Sequence, residues 1–496
     1  MIFDIKISTV SQINNLKENS AHVLFINDTE NLNDFIKKHK LLISEPQKDQ
    51  LCDEKISEIK LWNSSVPELT ILKKIKIDKK FNNDFFRNYL AGIVQYLENQ
   101  KLKNLYINLP DFKVFEIYFK SEEFFFRTIL EGIFLGNYNF KKYIKQTDRK
   151  KILNVTIETK DQKTVKKIVQ ENENIVQSVY FTRNLVNEPA NILTPIEFAN
   201  RIKNEFKNSS VKVSVFDEAA LKKQKMNAVL SVGKGSSNKP VMIIAKYNPK
   251  EKAKLKICLV GKGVTYDTGG LSIKPTAGML NMKADMAGGA AVFGIIKAVE
   301  KNNLPIEIIG IVPAVENAIS GNSYKPGDII STSSGKTIEV KDTDAEGRII
   351  LADALEFASK QKPDEIIDFA TLTGAVAVAL GLFTAGIFTK SDDIADRLIK
   401  SSQETYEHLW RLPFWDEFNS LMDSKIADVS NLGPRWGGAI SAGKFLERFV
   451  DENIPYAHID IAGPAIEHDL TNYTKDYCTG FGVRFMYEYL KDICKK

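Results

Sequence analysis

Three short glycine-rich segments of this chain carry a concentration of charged residues. The residues concerned are Lys262, Asp267, Lys274, Asp285, Asp344, Glu346 and Arg348. The four carboxylates in this set match the charge of two divalent cations, and hard or borderline metal ions prefer oxygen donors in proteins. A bound pair of such cations can activate water and polarise the group that the water attacks. The residue types and their spacing therefore predict a two-metal hydrolytic site.

The elements expected around these residues place them at one edge of a sheet. From about residue 190, β-branched apolar runs alternate with helical segments, a pattern typical of a mainly parallel sheet covered on both faces. The predicted strands are 211–215, 241–245, 255–260, 306–312, 337–340 and 365–370, and the predicted helices are 285–300 and 347–361. Ligands bind beyond the carboxyl ends of the strands in such sheets. Since the charged residues follow strands or begin helices, we expect them at that edge.

The first part of the chain has a different sequence pattern, and it contains no group of residues that predicts a catalytic or metal-binding site. Strands are predicted over 21–26 and 152–157, and helices over 85–97 and 122–135. One polar-faced helix over 161–187 ends before Pro189 and connects the two parts. The expected fold is therefore α/β with a smaller N-terminal domain and a larger C-terminal catalytic domain that has a mainly parallel central sheet. The predicted bounds are 1–160, 161–189 and 190–496.

Bulk composition predicts a cytoplasmic globular protein. Of the 496 residues, 43% are hydrophobic and 26% are charged, and the net charge is only +5. The lysines are scattered, which argues against a nucleic-acid partner. The four cysteines form no CxxC pair, and the N-terminus lacks a basic region followed by an apolar core. No early apolar stretch is long enough to span a membrane, so no membrane partner is expected.

Other interpretations of the charged segments fit these residues less well than a two-metal site does. The stretch 342–353 partly matches an EF-hand calcium loop, but the segment that enters it resembles a strand and not the required helix. Asp285 alone would fit a helix start. The five histidines contain no HExxH motif, which excludes a zincin, and His458 in its apolar run is predicted to be a core residue. An oxygen-rich set without histidine favours Mg, Mn or Zn.

The charged segments closely resemble those of the leucine aminopeptidase family, the cytosol aminopeptidases. The family signature Asn-Thr-Asp-Ala-Glu-Gly-Arg-Leu corresponds here to Asp342-Thr-Asp-Ala-Glu-Gly-Arg-Ile349. Further segments that resemble family landmarks, in family order, are 183–189, 282–288, 370–375, 424–428, 437–441 and 460–463. The resemblance implies a metallo-aminopeptidase that releases N-terminal amino acids, leucine-like ones preferred, from peptides.

The resemblance also implies a role for each matching residue. The residues implied to hold one metal ion are Lys262, Asp267, Asp285 and Glu346, and those implied to hold the other are Asp267, Asp344 and Glu346. A hydroxide between the two metals would attack the scissile carbonyl, with Lys274 stabilising the oxyanion and Arg348 holding a bicarbonate as general base. The residues implied to line the pocket for the first side chain are Met282, Thr371, Gly374, Ala462 and Ala465. The implied cofactors are two divalent ions per subunit, Mn or Zn with Mg or Co as alternatives, and bicarbonate.

Two departures from the family pattern stand out. Asp342 replaces the signature asparagine, and its added charge would weaken anion binding if it faced the metals but would be neutral in a turn. Ala465 replaces a larger apolar residue of some members, which predicts a wider pocket.

The family likeness further implies a homohexamer, a dimer of trimers, acting on peptides in the cytoplasm. Two other functions stay open at this point: another two-metal hydrolase, such as a phosphoesterase, and the architectural DNA binding of some family members. Parallel peptide and phosphoester assays would separate the first, and a salt-dependent DNA titration the second.

Overall fold

The computed structural model describes residues 1–27, 30–63, 68–145, 151–466 and 468–495. The chain divides into two units, one of Met1–Val176 with Thr471–Tyr473 and one of Gln177–Leu470 with Thr474–Lys496. The predicted bounds at 160 and 190 stay a prediction. Among the described residues, no helix combines the length and apolar character that a membrane crossing needs.

A six-stranded sheet forms the centre of the first unit. Its strands are β1 (Phe3–Val10), β2 (Ser20–Asn27), β3 (Glu58–Trp62), β4 (Glu68–Ile75), β5 (Asn104–Asn108) and β6 (Lys151–Glu158), in the order β1-β6-β5-β2-β4-β3. Only β3 runs antiparallel to its neighbour. The helices are α1 (Leu32–Lys38), α2 (Glu45–Cys52), α3 (Phe85–Asn99) and α4 (Glu122–Leu135), with 3-10 turns at Phe112–Val114 and Glu116–Tyr118. The strands and helices predicted here are confirmed.

The long helix α5 (Gln162–Asn187) agrees with the prediction over 161–187. The helices that follow are α6 (Pro195–Glu205), α7 (Glu218–Lys223), α8 (Asn227–Gly233), α9 (Thr276–Met279), α10 (Ala287–Lys301), α11 (Glu346–Ser359), α12 (Gly374–Leu380), α13 (Asp392–Thr405), α14 (Gly438–Glu447) and α15 (Val483–Ile493), with 3-10 turns at Met282–Ala284 and Asp416–Met422. The strands are β7 (Val211–Phe216), β8 (Val241–Tyr247), β9 (Lys256–Gly261), β10 (Gly263–Asp267), β11 (Glu307–Asn317), β12 (Ile329–Ser331), β13 (Thr337–Glu339), β14 (Glu365–Ala370), β15 (Ala385–Phe388), β16 (Leu409–Arg411), β17 (Val429–Ser430) and β18 (Tyr456–Asp460).

Nine of these strands form the large sheet of the second unit. Their order is β16-β15-β18-β14-β9-β11-β8-β7, with β10 paired to β11. The central strands β18, β14, β9 and β11 are parallel, as is β10. The antiparallel pairs are β8 with β11, β7 with β8, and β15 with β18. The predicted α/β class with a mainly parallel sheet is therefore confirmed. The three remaining strands form a small sheet in the order β12-β13-β17.

The central strands are largely buried because helices cover both faces of the sheet. All six residues of β14 are buried, and α10 and α11 both pack against β9 and β11. Since these strands are parallel, their carboxyl ends meet at one edge, here called the carboxyl edge. The residues that end the five parallel strands are Gly261 (β9), Asp267 (β10), Asn317 (β11), Ala370 (β14) and Asp460 (β18).

Candidate metal centre

Lys262 lies between β9 and β10 and is only 3% exposed. Its ammonium bridges two carboxylates, with Nζ 2.8 Å from Asp285 Oδ1 and 2.8 Å from Glu346 Oε1, and it donates to the Thr371 carbonyl at 3.0 Å. Gly347 makes this approach possible, because a Cβ there would lie 2.4 Å from Lys262 Cε. Burial alone lowers the pKa of Lys262, but the neighbouring carboxylates outweigh it and raise the pKa overall.

Asp267 ends β10 and is 2% exposed. Its Oδ1 accepts hydrogen bonds from the Gly269 backbone N–H at 2.8 Å and from Asn317 Nδ2 at 2.8 Å. Its Oδ2 lies 2.9 Å from Lys274 Nζ, which also contacts Asp344 Oδ1. Gly269 has φ +84°, a conformation that permits the turn between Asp267 and Lys274. The second lysine therefore also bridges two carboxylates.

Glu346 begins α11 and is buried, whereas the Asp344 side chain is 34% exposed. Carboxylate oxygens of Asp267, Asp344 and Glu346 all lie within 4.8 Å of one another. Asp285 is not in this group of three. Burial raises the pKa of Glu346 and of Asp285, and burial together with the nearby Asp267 raises the pKa of Asp344 to about 7. Burial and neighbouring carboxylates thus raise the pKa of Asp285, Asp344 and Glu346 more than the two lysines lower it.

The donor set fits divalent metal ions. Glu346 Oε2 is buried without a hydrogen-bond partner, whereas Glu346 Oε1 and Asp285 Oδ2 each lie 2.8 Å from Lys262 Nζ. Unmet buried oxygens are rare in folded proteins and call for a cation or a water. The four carboxylates exceed the two bridging ammonium groups, Lys262 and Lys274, by two negative charges. Oxygen donors and residual negative charge are what a hard divalent ion requires.

Arg348 lies on the first turns of α11 and is 7% exposed. Its Nη1 donates to the Asn431 carbonyl at 2.8 Å, but its buried Nε has no hydrogen-bond partner. Burial lowers the pKa of Arg348 to about 10, a value at which the group stays charged at neutral pH. A buried charged N–H without a partner is suited to binding an anion.

Asp342 closes a turn and does not point into the group of carboxylates. Its Oδ1 accepts from the Asp344 backbone N–H at 2.8 Å, and its carbonyl accepts from Asn431 Nδ2 at 2.6 Å. An asparagine side chain would make the first of these bonds equally well. The preceding element is the strand β13, so the EF-hand interpretation of 342–353 is wrong.

Asp342→Asn is therefore expected to change activity little. The side chain is half-buried in a turn, where substitutions that keep the local hydrogen bond shift free energies by about 0.5 kcal/mol or less. We expect kcat/KM on leucyl-p-nitroanilide within about twofold of the unsubstituted protein. A tenfold change in either direction would show that the charge of Asp342 acts on the metals or on Arg348.

Asp285 precedes α10 by two residues and does not cap it, since no side chain accepts from the first turn of that helix. Its interpretation as a helix-start residue is therefore wrong. Asp285 Oδ1 accepts instead from Lys262 Nζ at 2.8 Å and from Thr371 Oγ1 at 2.8 Å. Met282, a predicted pocket residue, begins the 3-10 turn that leads to Asp285. Thr371 therefore contacts this carboxylate directly, and Met282 lies three residues before it in the chain.

The loops after β14 and β18 are joined through Asp460. Its Oδ1 accepts from the backbone N–H groups of Leu372 at 3.1 Å and Ala462 at 3.2 Å, and its Oδ2 accepts from Thr373 Oγ1 at 2.7 Å. Gly374, which follows directly, begins α12. These bonds bring the predicted pocket residues of the two loops to the same part of the carboxyl edge.

The remaining predicted pocket residue, Ala465, is placed less directly. It is 3% exposed, and its backbone N–H donates to the Ile461 carbonyl at 3.1 Å. A role in the pocket stays a prediction for this residue. His458 lies in β18 with Nδ1 2.8 Å from Asp368 Oδ1, fully buried, so its prediction as a core residue is confirmed.

Sequence reasoning missed three buried residues that organise this centre: Asn317, Asn431 and Asp460. Each ends a strand or directly follows one, at β11, β17 and β18. The rule that identified Lys262 and Asp267, polar residues at strand ends, applies to Asn317 and Asp460 as well. What concealed them is their side-chain type, because an amide or a single acid resembles ordinary turn chemistry.

Comparisons with known proteins point to one family. The model of the cytosol aminopeptidase family, catalytic domain, matches residues 180–487. A probable cytosol aminopeptidase of Chloroherpeton thalassium is 42% identical over 428 residues, covering 82% of this chain and 84% of the relative. One from Sulfurihydrogenibium sp. is 38% identical, covering 97% of each chain. Among solved structures, the bottromycin maturation enzyme BotP in complex with Mn is similar with a TM-score of 0.82 and 29% identity, covering 96% of this chain and 100% of BotP.

Proposed function

This chain belongs to the cytosol aminopeptidase family and is a metallopeptidase, and from that premise we propose that it releases N-terminal amino acids from peptides at the carboxyl edge. The observation that carries the proposal is the group of three carboxylates, Asp267, Asp344 and Glu346, with oxygens within 4.8 Å of one another. The buried lysine beside them, Lys262, supports the same assignment, because a nearby dication favours a neutral amine that can act as a ligand.

We propose that two divalent ions bind here, manganese or zinc, with magnesium or cobalt as alternatives. Manganese is supported by BotP, a structural relative solved in complex with Mn. The residues proposed to hold the first ion are Lys262, Asp267, Asp285 and Glu346, and those proposed to hold the second are Asp267, Asp344 and Glu346. When bound, such ions supply Lewis-acid polarisation of a carbonyl and lower the pKa of water.

The side chains around the metals would stabilise the negative charge that develops on the substrate and bind the anion that accepts a proton. Lys274 Nζ, which contacts Asp267 and Asp344, would donate to the scissile carbonyl oxygen as negative charge develops there. Arg348 would hold a bicarbonate ion with its unpartnered Nε. A bicarbonate bound there would supply a general base.

We propose that the first side chain of the peptide binds between the loops that Asp460 joins. The residues proposed to line this pocket are Met282, Thr371, Gly374, Ala462 and Ala465. Ala462 packs against the apolar cluster around Val376 and Phe388, so the wall it forms is apolar. An apolar wall with small alanines favours a leucine-like side chain.

The proposed substrates are peptides, and the proposed assembly is the homohexamer that the family resemblance implies. The relatives are named cytosol aminopeptidases, which supports a cytoplasmic location. No observation on the described residues favours DNA as a partner. The mass of the protein in solution, measured by light scattering, tests the assembly independently of activity.

Removal of metal is the direct test of the proposed activity. Dialysis against a chelator is expected to reduce leucyl-p-nitroanilide hydrolysis to background, because the Lewis acid is lost, and readdition of Mn, Zn, Mg or Co one at a time should restore it. A panel of aminoacyl p-nitroanilides should show leucine above charged residues, and p-nitrophenyl phosphate should not react. Full activity after verified metal depletion, or preference for the phosphoester, would contradict the proposal.

A further inference from the structure

We propose that Asn317 is a positioning residue of the metal centre, which holds the Asp267 carboxylate and the backbone before Asp344 in one fixed relation. The inference rests on the proposed function, since it concerns the residues proposed there as metal ligands. It goes beyond that function because Asn317 is itself neither a proposed metal ligand nor a proposed pocket residue.

Strand pairing brings Asn317 to Asp267. β10 and β11 are parallel neighbours, and in their register Asp267 lies opposite Asn317 at the last position of both strands. Asn317 is fully buried, and its Nδ2 donates to Asp267 Oδ1 at 2.8 Å and to the Thr343 carbonyl at 3.0 Å. Its own carbonyl accepts from the backbone N–H of Thr268 at 3.0 Å. The side-chain amide of Asn317 therefore joins the end of strand β10 to the segment 342–349, which corresponds to the family signature.

The Thr343 end of this link is fixed from several sides. The Thr343 carbonyl also accepts from the Tyr324 hydroxyl Oη at 2.7 Å, and Thr343 Oγ1 donates to the Gly269 carbonyl at 2.6 Å. The Ser272 backbone N–H donates to the same hydroxyl at 2.8 Å. Because the Thr343 carbonyl and the Asp344 N–H belong to one planar peptide unit, fixing the carbonyl also fixes the direction in which Asp344 begins.

The amide orientation of Asn317 indicates that its donors are what the site needs. Asn317 Oδ1 is buried and has no hydrogen-bond partner, a costly condition in a protein interior. Reversing the amide would set Oδ1 against two acceptors, Asp267 Oδ1 and the Thr343 carbonyl. The two N–H groups thus both reach acceptors, and the unmet oxygen is the consequence.

The expected effect of losing these donors follows from what they hold. With Gly269 N–H and Asn317 Nδ2 both on Oδ1, the Asp267 carboxylate cannot rotate about its last bond without losing two hydrogen bonds. Groups that orient a metal ligand in this way typically contribute about 10–100-fold in metal affinity. Asn317 should therefore act on metal binding more than on substrate binding.

The test replaces the amide and measures binding of Mn²⁺ alone. Asn317→Asp has the same shape but offers only acceptors, and Asn317→Ala removes both donors without adding charge. Titration of metal-depleted protein in competition with a chromophoric chelator is expected to show Mn²⁺ affinity lowered about 10–100-fold in both variants. KM for leucyl-p-nitroanilide at saturating Mn²⁺ should change less than the Mn²⁺ affinity. Circular dichroism tests whether each variant is folded. If Asn317→Asp is not folded, the Mn²⁺ affinity of Asn317→Ala alone tests the inference.

Asn104→Asp provides the matched control. Asn104 is a buried asparagine of β5 whose Nδ2 donates to the Glu18 carbonyl at 2.9 Å, in the other unit of the chain. It should keep the Mn²⁺ affinity of the unsubstituted protein. Unchanged Mn²⁺ affinity in Asn317→Ala would overturn the inference, as would an equal loss in the control. Absence of Mn²⁺ binding and of peptidase activity in the unsubstituted protein would instead refute the proposed function, so the two failures are distinguishable.

Discussion

Glu346→Gln is expected to lower kcat/KM on leucyl-p-nitroanilide by at least about 10³-fold. Glu346 is proposed as a ligand of both metal ions, it is 1% exposed, and its buried Oε2 has no hydrogen-bond partner. The amide keeps the shape of the side chain but removes the negative charge that faces the cations. Loss of Lewis-acid stabilisation worth about 4 kcal/mol corresponds to that factor.

The measurement pairs steady-state kinetics with the metal content of the purified variant. We expect the metal content to fall together with the rate, because the substitution removes a ligand and not a proton donor. Activity above about a tenth of the original with full metal content would contradict the role of Glu346 as a ligand.

Glu356→Gln is the matched control for this substitution. Glu356 lies on the same helix α11, is also buried, and accepts from Thr332 Oγ1 at 2.8 Å and from Ser333 Oγ at 2.6 Å. Glu356→Gln replaces a carboxylate by an amide, as Glu346→Gln does, but at a residue that is not a proposed metal ligand. We expect a lower unfolding temperature for this variant with kcat/KM close to that of the unsubstituted protein.

The candidate ligands were predictable because their positions depend on local sequence. A run of β-branched apolar residues predicts a buried strand, and the polar residue at its end then lies where ligands bind in parallel sheets. Lys262 and Asp267 were identified in this way, and both lie at the carboxyl edge. The same local logic predicted the core position of His458.

Strand direction was not predictable from the same signal. The run at β8 is as apolar as those of the central strands, yet β8 pairs antiparallel with both β11 and β7. Burial determines apolar content, whereas connection geometry determines direction. The short strands β10, β15 and β16 were missed, and β10 is the strand that places Asp267 opposite Asn317. The register that pairs Asp267 with Asn317, 50 residues away in the chain, cannot be read from the local sequence pattern of either strand.

The direction of Asp342 depended in the same way on a distant residue. Sequence left its charge facing either the metals or a turn. The choice is made by Asn431, which is 89 residues away and binds the Asp342 carbonyl through Nδ2 and the Lys341 N–H through Oδ1. These two bonds fix the backbone, and the side chain then reaches the Asp344 N–H. Spacing alone identified the segment but not which way its side chains point.

Lys274→Ala is expected to lower kcat by about 10²–10³-fold while KM changes much less. The reason is that Lys274 Nζ, 2.9 Å from Asp267 Oδ2, would stabilise charge that exists only in the transition state. Lys274→Arg should rescue little of the rate, because a planar guanidinium cannot replace a compact ammonium between two carboxylates. Steady-state kinetics at saturating Mn²⁺ separate kcat from KM.

Lys297→Ala is the control that isolates this effect from the loss of a lysine in general. The Lys297 side chain is 15% exposed, close to the 18% of Lys274, and its Nζ lies 2.6 Å from Glu205 Oε1 on α6. It should leave kcat unchanged, since an ion pair of this kind contributes at most about 1 kcal/mol to stability and none to the reaction. If Lys274→Ala raised KM and left kcat intact, the lysine would bind substrate and transition state equally. Lys274 would then contribute to substrate binding, and the additional charge of the transition state would be stabilised by the metals.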